Sequence, residues 1–298
     1  MKNFIISLVI IGILGFGFYL LSKNFSVTKV PEASPALPST NATTTEVQKN
    51  KEQTVIGKSV ESRDIVAYHF GAGAKELLFV GGIHGGYEWN TVLVAQQLIN
   101  YLKTNPTAIP SGIKVTVIPV LNPDGLNKIV GTSTTNFTAA DAPTALSATI
   151  PGRFNANNVD LNRNFDCDWQ ASGTWQNKTV NGGESAFSEP EALAIKNYVA
   201  ANKPSAVVVW YSAAGGVYAS SCHNGVSSET SAITKIYADA SGYPAYQEFD
   251  FYEITGDMVN WLAKENIPAI SVLLTNHTDT EQTINLKGVA ALLKYYSE

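Results

Sequence analysis

The chain has 298 residues, 45% of them hydrophobic and 15% charged, and a formal net charge of −5. That length holds one domain with a sizeable core, and lysines and arginines scattered along a mildly acidic chain exclude a nucleic-acid surface. Two cysteines, Cys167 and Cys222, are too few for a disulfide scaffold and lack the CxxC spacing of a metal or redox site.

After Met1-Lys2-Asn3, the segment from Phe4 to Ser22 is almost wholly apolar and about long enough to cross a bilayer as a helix. Residues 1–23 therefore read as a transmembrane anchor or, alternatively, a signal segment, with no clear small-x-small cleavage site at Leu20-Leu21-Ser22-Lys23. Residues 24–53 are rich in Ser, Thr, Pro and Ala; they bury too little to order themselves and suit a spacer. The expected arrangement is a domain over residues 54–298, membrane-anchored and extracytoplasmic, or else secreted.

From Thr54 onward short β-branched runs alternate with amphipathic segments. Strands are expected at Leu77 to Gly82, Lys114 to Leu121, Ala206 to Trp210 and Ala269 to Leu273. Helices are expected at Glu88 to Leu102, Glu189 to Ala201, Glu229 to Ala240, Asp257 to Glu265 and Leu286 to Tyr296. Ser188-Glu189-Pro190-Glu191 has the pattern of a capping box with proline in the first turn. This alternation implies an α/β fold: a mixed, mostly parallel sheet covered by helices on both faces.

The polar residues of interest stand where strands end. Gly81-Gly82-Ile83-His84-Gly85-Gly86-Tyr87-Glu88 puts His84 on the loop leaving a strand and Glu88 near the first helical turn, outside the carboxyl end of the sheet, where ligands bind in open α/β folds. The two could ligate a divalent metal, or they could simply cap and solvate a strand-to-helix turn. Asn122-Pro123-Asp124-Gly125 reads as a turn at the same end of the sheet. In the stretch from Gly152 to Phe165, Arg153 and Arg163 stand among amides; guanidinium forks there suit a carboxylate pocket. A loop held by Asx turns and a structural Arg-Asp pair is the other reading.

Taken in order, HGGYE, NPDG, RFN followed by VDLNRNF, the SEPE helix start and Tyr252-Glu253-Ile254-Thr255-Gly256-Asp257 resemble the zinc carboxypeptidase family of metallopeptidases, from about Gly57 to the C-terminus. The resemblance implies an α/β/α sandwich, one zinc ion bound by two histidines and a glutamate, and removal of C-terminal residues from peptides or cell-wall peptides. His84 and Glu88 match the first two zinc ligands. Arg153 matches the arginine that polarises the scissile carbonyl, Asn162 and Arg163 the pair that holds the terminal carboxylate, and Tyr252 the tyrosine that closes over it. Asp257 lies where an acid could receive a basic side chain, or where it could cap a helix.

Three departures accompany these matches. His84 and Glu88 are separated by three residues where the family has two, the third-ligand position carries Tyr211, and the catalytic-glutamate position carries Leu273. A phenol is a poor zinc ligand near neutral pH, and leucine cannot accept a proton from a water. A zinc carboxypeptidase with weak or lost zinc binding and an inactive peptide-binding form are both open. In such a fold Cys167 and Cys222 fall on one rim of the site, where a disulfide is expected.

Overall fold

Apolar runs without polar alternation mark strands covered on both faces, and the four in this sequence form the middle of the sheet. A computed structural model describes residues 52–298; residues 1–23 and nearly all of the spacer lie outside the described residues. Among the described residues no helix is long and apolar enough to cross a membrane.

The strands of the main sheet are β1 (Gln53–Lys58), β2 (Asp64–Gly71), β3 (Lys75–Val80), β4 (Ile113–Ile118), β7 (Ala206–Ser212), β8 (Gly216–Ala219), β9 (Ala245–Tyr246) and β10 (Ala269–Leu274). They lie in the order β1-β2-β4-β3-β7-β10-β8-β9, while β5 (Ser172–Trp175) and β6 (Lys178–Asn181) make a separate hairpin. Pairing is parallel from β4 through β3 and β7 to β10 and again between β8 and β9, and antiparallel at β1/β2, β2/β4 and β10/β8. The sheet is thus mixed with a parallel centre. The chain goes from β3 to one side through β4 and returns to the other through β7, so a crevice opens at the carboxyl ends of β3 and β7.

The helices are α1 (Trp89–Thr104), α2 (Pro123–Val130), the short α3 (Leu146–Thr149), α4 (Pro190–Asn202), α5 (Ser228–Ser241), α6 (Met258–Lys264) and α7 (Gln282–Ser297). Side chains of successive strand residues point to opposite faces, and two cores follow. Phe79, Val208, Trp210 and Val272 pack with Leu98, Ile99, Tyr237 and Leu292 on one face. Val80, Val209, Tyr211 and Leu273 pack with Ile195, Met258 and Leu262 on the other. Tyr211 and Leu273 therefore share a face, and the parallel register sets them directly side by side.

Two local expectations are corrected. Asn122-Pro123-Asp124-Gly125 is no isolated turn but the start of α2: the Asn122 side chain accepts a hydrogen bond from Gly125 N at 2.8 Å, with proline at the first helical position. At Ser188-Glu189-Pro190-Glu191 the proline opens α4, but the N-cap is Glu189 without a side-chain cap. The Ser188 hydroxyl donates to Glu189 Oε1 instead. Glu191 turns away to accept from Val60 N and Asn155 Nδ2.

Candidate active site

His84 is fixed by the backbone on either side of it. Leu121 N and Asn122 N donate to the carbonyls of Gly81 and Gly82, locking the loop after β3 against the one after β4. Gly85 has a left-handed φ of +42°, and a Cβ there would stand 2.8 Å from both Gly152 O and Leu126 N. Only glycine permits that approach, and it accommodates the extra residue between His84 and Glu88.

The two side chains then meet. His84 Nδ1 lies 2.9 Å from Glu88 Oε1, and His84 Nε2 lies 3.4 Å from Asp160 Oδ1. Both imidazole nitrogens and Glu88 Oε2 are buried without a hydrogen bond of proper geometry. A buried polar atom without a partner is costly, so these atoms have the form of donors awaiting a cation. An imidazole steadied on its far nitrogen by a carboxylate is the usual arrangement around a zinc-bound histidine. Asp160 thus does more than pair with an arginine.

Asp160 also holds Arg153. Arg153 Nε donates to Asp160 Oδ2 at 2.9 Å and Nη2 lies 2.8 Å from the same oxygen, which leaves Nη1 for a ligand. Burial would push the Asp160 carboxyl up, but the Arg153 guanidinium, helped by His84 and Arg163, holds it far below the usual carboxylate range. The Arg153 guanidinium also lies 4.4 Å from the centre of the Trp175 ring and 5.6 Å from that of Tyr87.

The remaining candidates line one cleft of about 830 Å³ with His84, Glu88 and Arg153: Asn162, Tyr211, Tyr252, Asp257 and Leu273. Asn162 Oδ1 accepts from Tyr211 Oη and from Met258 N, both at 3.1 Å. Asp257 caps α6 through Asn260 N, while its Oδ1 is buried and unpartnered. Burial raises its carboxyl to about 6 despite the opposing charge of Arg163. Asp257 is therefore a helix cap with one carboxylate oxygen left buried and unpartnered.

Arg163 is placed differently from the others. Only 1% exposed, it sends Nη1 to Asn162 O and Nη2 to Thr174 O, both at 2.7 Å, behind the cleft wall. Gly173 lets the β5–β6 hairpin lie on it, since a Cβ there would meet Arg163 Cδ at 2.7 Å. Its charge still reaches the cleft through Asp257 and through the Tyr252 ring, 5.8 Å away.

The metal side is incomplete. Tyr211 is buried, and burial, reinforced by Asp257 and Glu88, raises its phenol well above 10, so it stays protonated. Its hydroxyl is spent on Asn162. Beside it Leu273 offers only hydrocarbon. Two donors, His84 and Glu88, fit a zinc ion; the paired strand residues Tyr211 and Leu273 present a protonated phenol and a hydrocarbon.

Several residues fix the elements around the cleft. Asn90, fully buried on α1, donates to the carbonyls of Asn276 and Asp279 and accepts from the Ser212 hydroxyl, tying α1 to the end of β7 and the loop after β10. His277 packs on Tyr87 with ring centres 4.7 Å apart and lines the cleft. Asp124 accepts from the Ser59 hydroxyl at 2.6 Å and lies 2.7 Å from Arg63 Nη1. On the rim, Cys167 and Cys222 are joined by a disulfide with Cα atoms 6.2 Å apart.

This geometry can be set beside known proteins. The family model described as zinc carboxypeptidase matches residues 41–288. The chain belongs to the zinc carboxypeptidase family. It is 29% identical over 126 residues to carboxypeptidase D of Mus musculus, an alignment covering 37% of this chain and 8% of that protein. With carboxypeptidase Z of Gallus gallus it shares 31% over 123 residues, covering 37% and 18% respectively. The chain thus spans less than a fifth of the length of these relatives.

Solved structures of zinc carboxypeptidases share the fold. Carboxypeptidase A of Helicoverpa armigera superposes with a TM-score of 0.63 at 20% identity, covering 82% of this chain and 66% of that one. The murein-tripeptide amidase MpaA of Escherichia coli O157 gives 0.58 at 18% identity, covering 83% and 92%. The family is zinc-dependent and acts on peptide C-termini.

Proposed function

We propose that this member of the zinc carboxypeptidase family binds peptide C-termini in its cleft and hydrolyses them slowly or not at all. The observation that carries the reading is the register of β7 and β10, which seats Tyr211 against Leu273 where a third ligand and a general base belong. Across the cleft, Arg153, Asn162 and Tyr252 supply a cation, an amide and a phenol suited to a carboxylate and its neighbouring carbonyl. Zinc, when held by His84 and Glu88, would supply Lewis-acid polarisation; with only two donors in place no catalytic step is derived through it.

Asp257 refines the ligand. Its buried, unpartnered Oδ1 offers a counter-charge to a terminal side chain bearing an amine, such as lysine or diaminopimelate. Peptides of the cell wall are one source of such ends. The apolar segment from Phe4 to Ser22, the spacer after it and the disulfide favour a domain tethered to the outer side of a membrane. A second reading, an active zinc carboxypeptidase, rests on the unpartnered His84 and Glu88 atoms.

Zinc content and peptide hydrolysis of the wild type, measured beside a Tyr211→His, Leu273→Glu double variant, separate the two. The binding reading expects the double variant to hydrolyse the peptide far faster than the wild type. A zinc-loaded wild type that is as fast as the double variant establishes the second reading.

A further inference from the structure

Tyr211 is more than a lost ligand. Its ring centre lies 5.7 Å from that of His84, and its hydroxyl donates to Asn162 Oδ1 at 3.1 Å. The same oxygen is met at 3.1 Å by Met258 N. A backbone N–H can only donate, so the amide atom it faces is the oxygen, and the flip ambiguity of an asparagine is resolved by chemistry. With both donors on Oδ1, the Asn162 NH2 group is left for the cleft that this residue lines.

We propose that Tyr211 is a positioning residue of the carboxylate-binding half: its hydroxyl holds the Asn162 amide with the NH2 turned toward the ligand's terminal carboxylate. The inference rests on the reading that the cleft takes peptide C-termini. Asn162 lies in a one-turn 3-10 helix (Leu161–Arg163) with non-helical φ/ψ, capped by the Asp160 side chain. Local backbone alone leaves the amide free to rotate about its side-chain bonds, and the hydroxyl removes part of that freedom.

The test uses the full chain in detergent and a lysine-terminated hexapeptide, with a free C-terminal carboxylate or amidated, titrated by calorimetry. Wild type, Tyr211→Phe, Asn162→Ala and the double variant are compared, with zinc content and Tm recorded for each. The wild type is expected to prefer the free acid. Tyr211→Phe is expected to weaken free-acid binding about fivefold, the scale of one neutral hydrogen bond, while amide binding and zinc content stay unchanged. In the Asn162→Ala background, Tyr211→Phe is expected to have no further effect on free-acid affinity. An unchanged free-acid affinity in Tyr211→Phe, or an equal loss for acid and amide, overturns the positioning role while leaving C-terminal binding intact. A wild type that binds acid and amide alike overturns the C-terminal reading, and the role of Tyr211 with it.

Discussion

The two halves of the cleft are built differently. On one side, His84 and Glu88 keep ligand geometry but face Tyr211 and Leu273. On the other, Arg153, Asn162, Tyr252 and Asp257 line a polar pocket whose charges and donors are held in place. Binding of a carboxylate needs only the second half, whereas hydrolysis needs both. On the proposed reading, binding can therefore persist without efficient catalysis. Asp160 stands between the halves, with one oxygen 3.4 Å from His84 Nε2 and the other gripping the guanidinium of Arg153.

The comparison can be strained in three places. The largest effect is expected from Tyr211→His with Leu273→Glu. Returning a ligand and a base should raise hydrolysis of a free-acid peptide by about 10²- to 10⁴-fold over wild type, the range for general-base help, with zinc content approaching one per chain. Next comes Asp160→Ala, which strips a fully buried arginine of its partner. A loss of roughly 3–5 kcal/mol in urea unfolding is expected, together with loss of peptide binding. If binding survives with stability intact, the two halves are not coupled through Asp160.

The smallest effect lies away from the cleft. Burial raises the Glu191 carboxyl from its ordinary range to about 7. Because the folded chain keeps a proton that the unfolded chain has released, stability falls as pH rises through 7. Glu191→Gln is expected to raise Tm at pH 8 by a few degrees, on the order of 1 kcal/mol, and to change little at pH 4. Peptide affinity should not follow, which separates domain stability from site chemistry. An equal Tm gain at both pH values would contradict a buried, proton-holding carboxyl.

What was legible in the sequence follows physical locality. The central strands stood out because burial on both faces leaves unbroken apolar runs, as in Ala206 to Trp210. His84, Glu88, Arg153 and Asn162 stood out because each sits in a short motif at a strand end or in a rigid loop. The outer strands did not: β8 is four residues long and owes its place to pairing with β10 and β9. The start of α2 looked like a turn because Asn-Pro-Asp-Gly serves both purposes, and the choice was made by the Asn122 cap. The capping box before α4 failed because Val60 and Asn155 compete for Glu191. Neither the inward turn of Arg163 under the hairpin nor the reach of Tyr211 to Asn162 has a signature in spacing; both depend on contacts between distant segments.

The central claim is that this cleft holds a peptide C-terminus without cutting it efficiently. The direct measurement is to saturate the wild-type chain with zinc, titrate a lysine-terminated free-acid peptide calorimetrically, and then weigh the recovered peptide by mass spectrometry. Expected are saturable binding, weaker for the C-terminal amide, and a peptide recovered at full length. A peptide shortened by one residue within a few turnovers would contradict it, and so would the absence of any heat of binding.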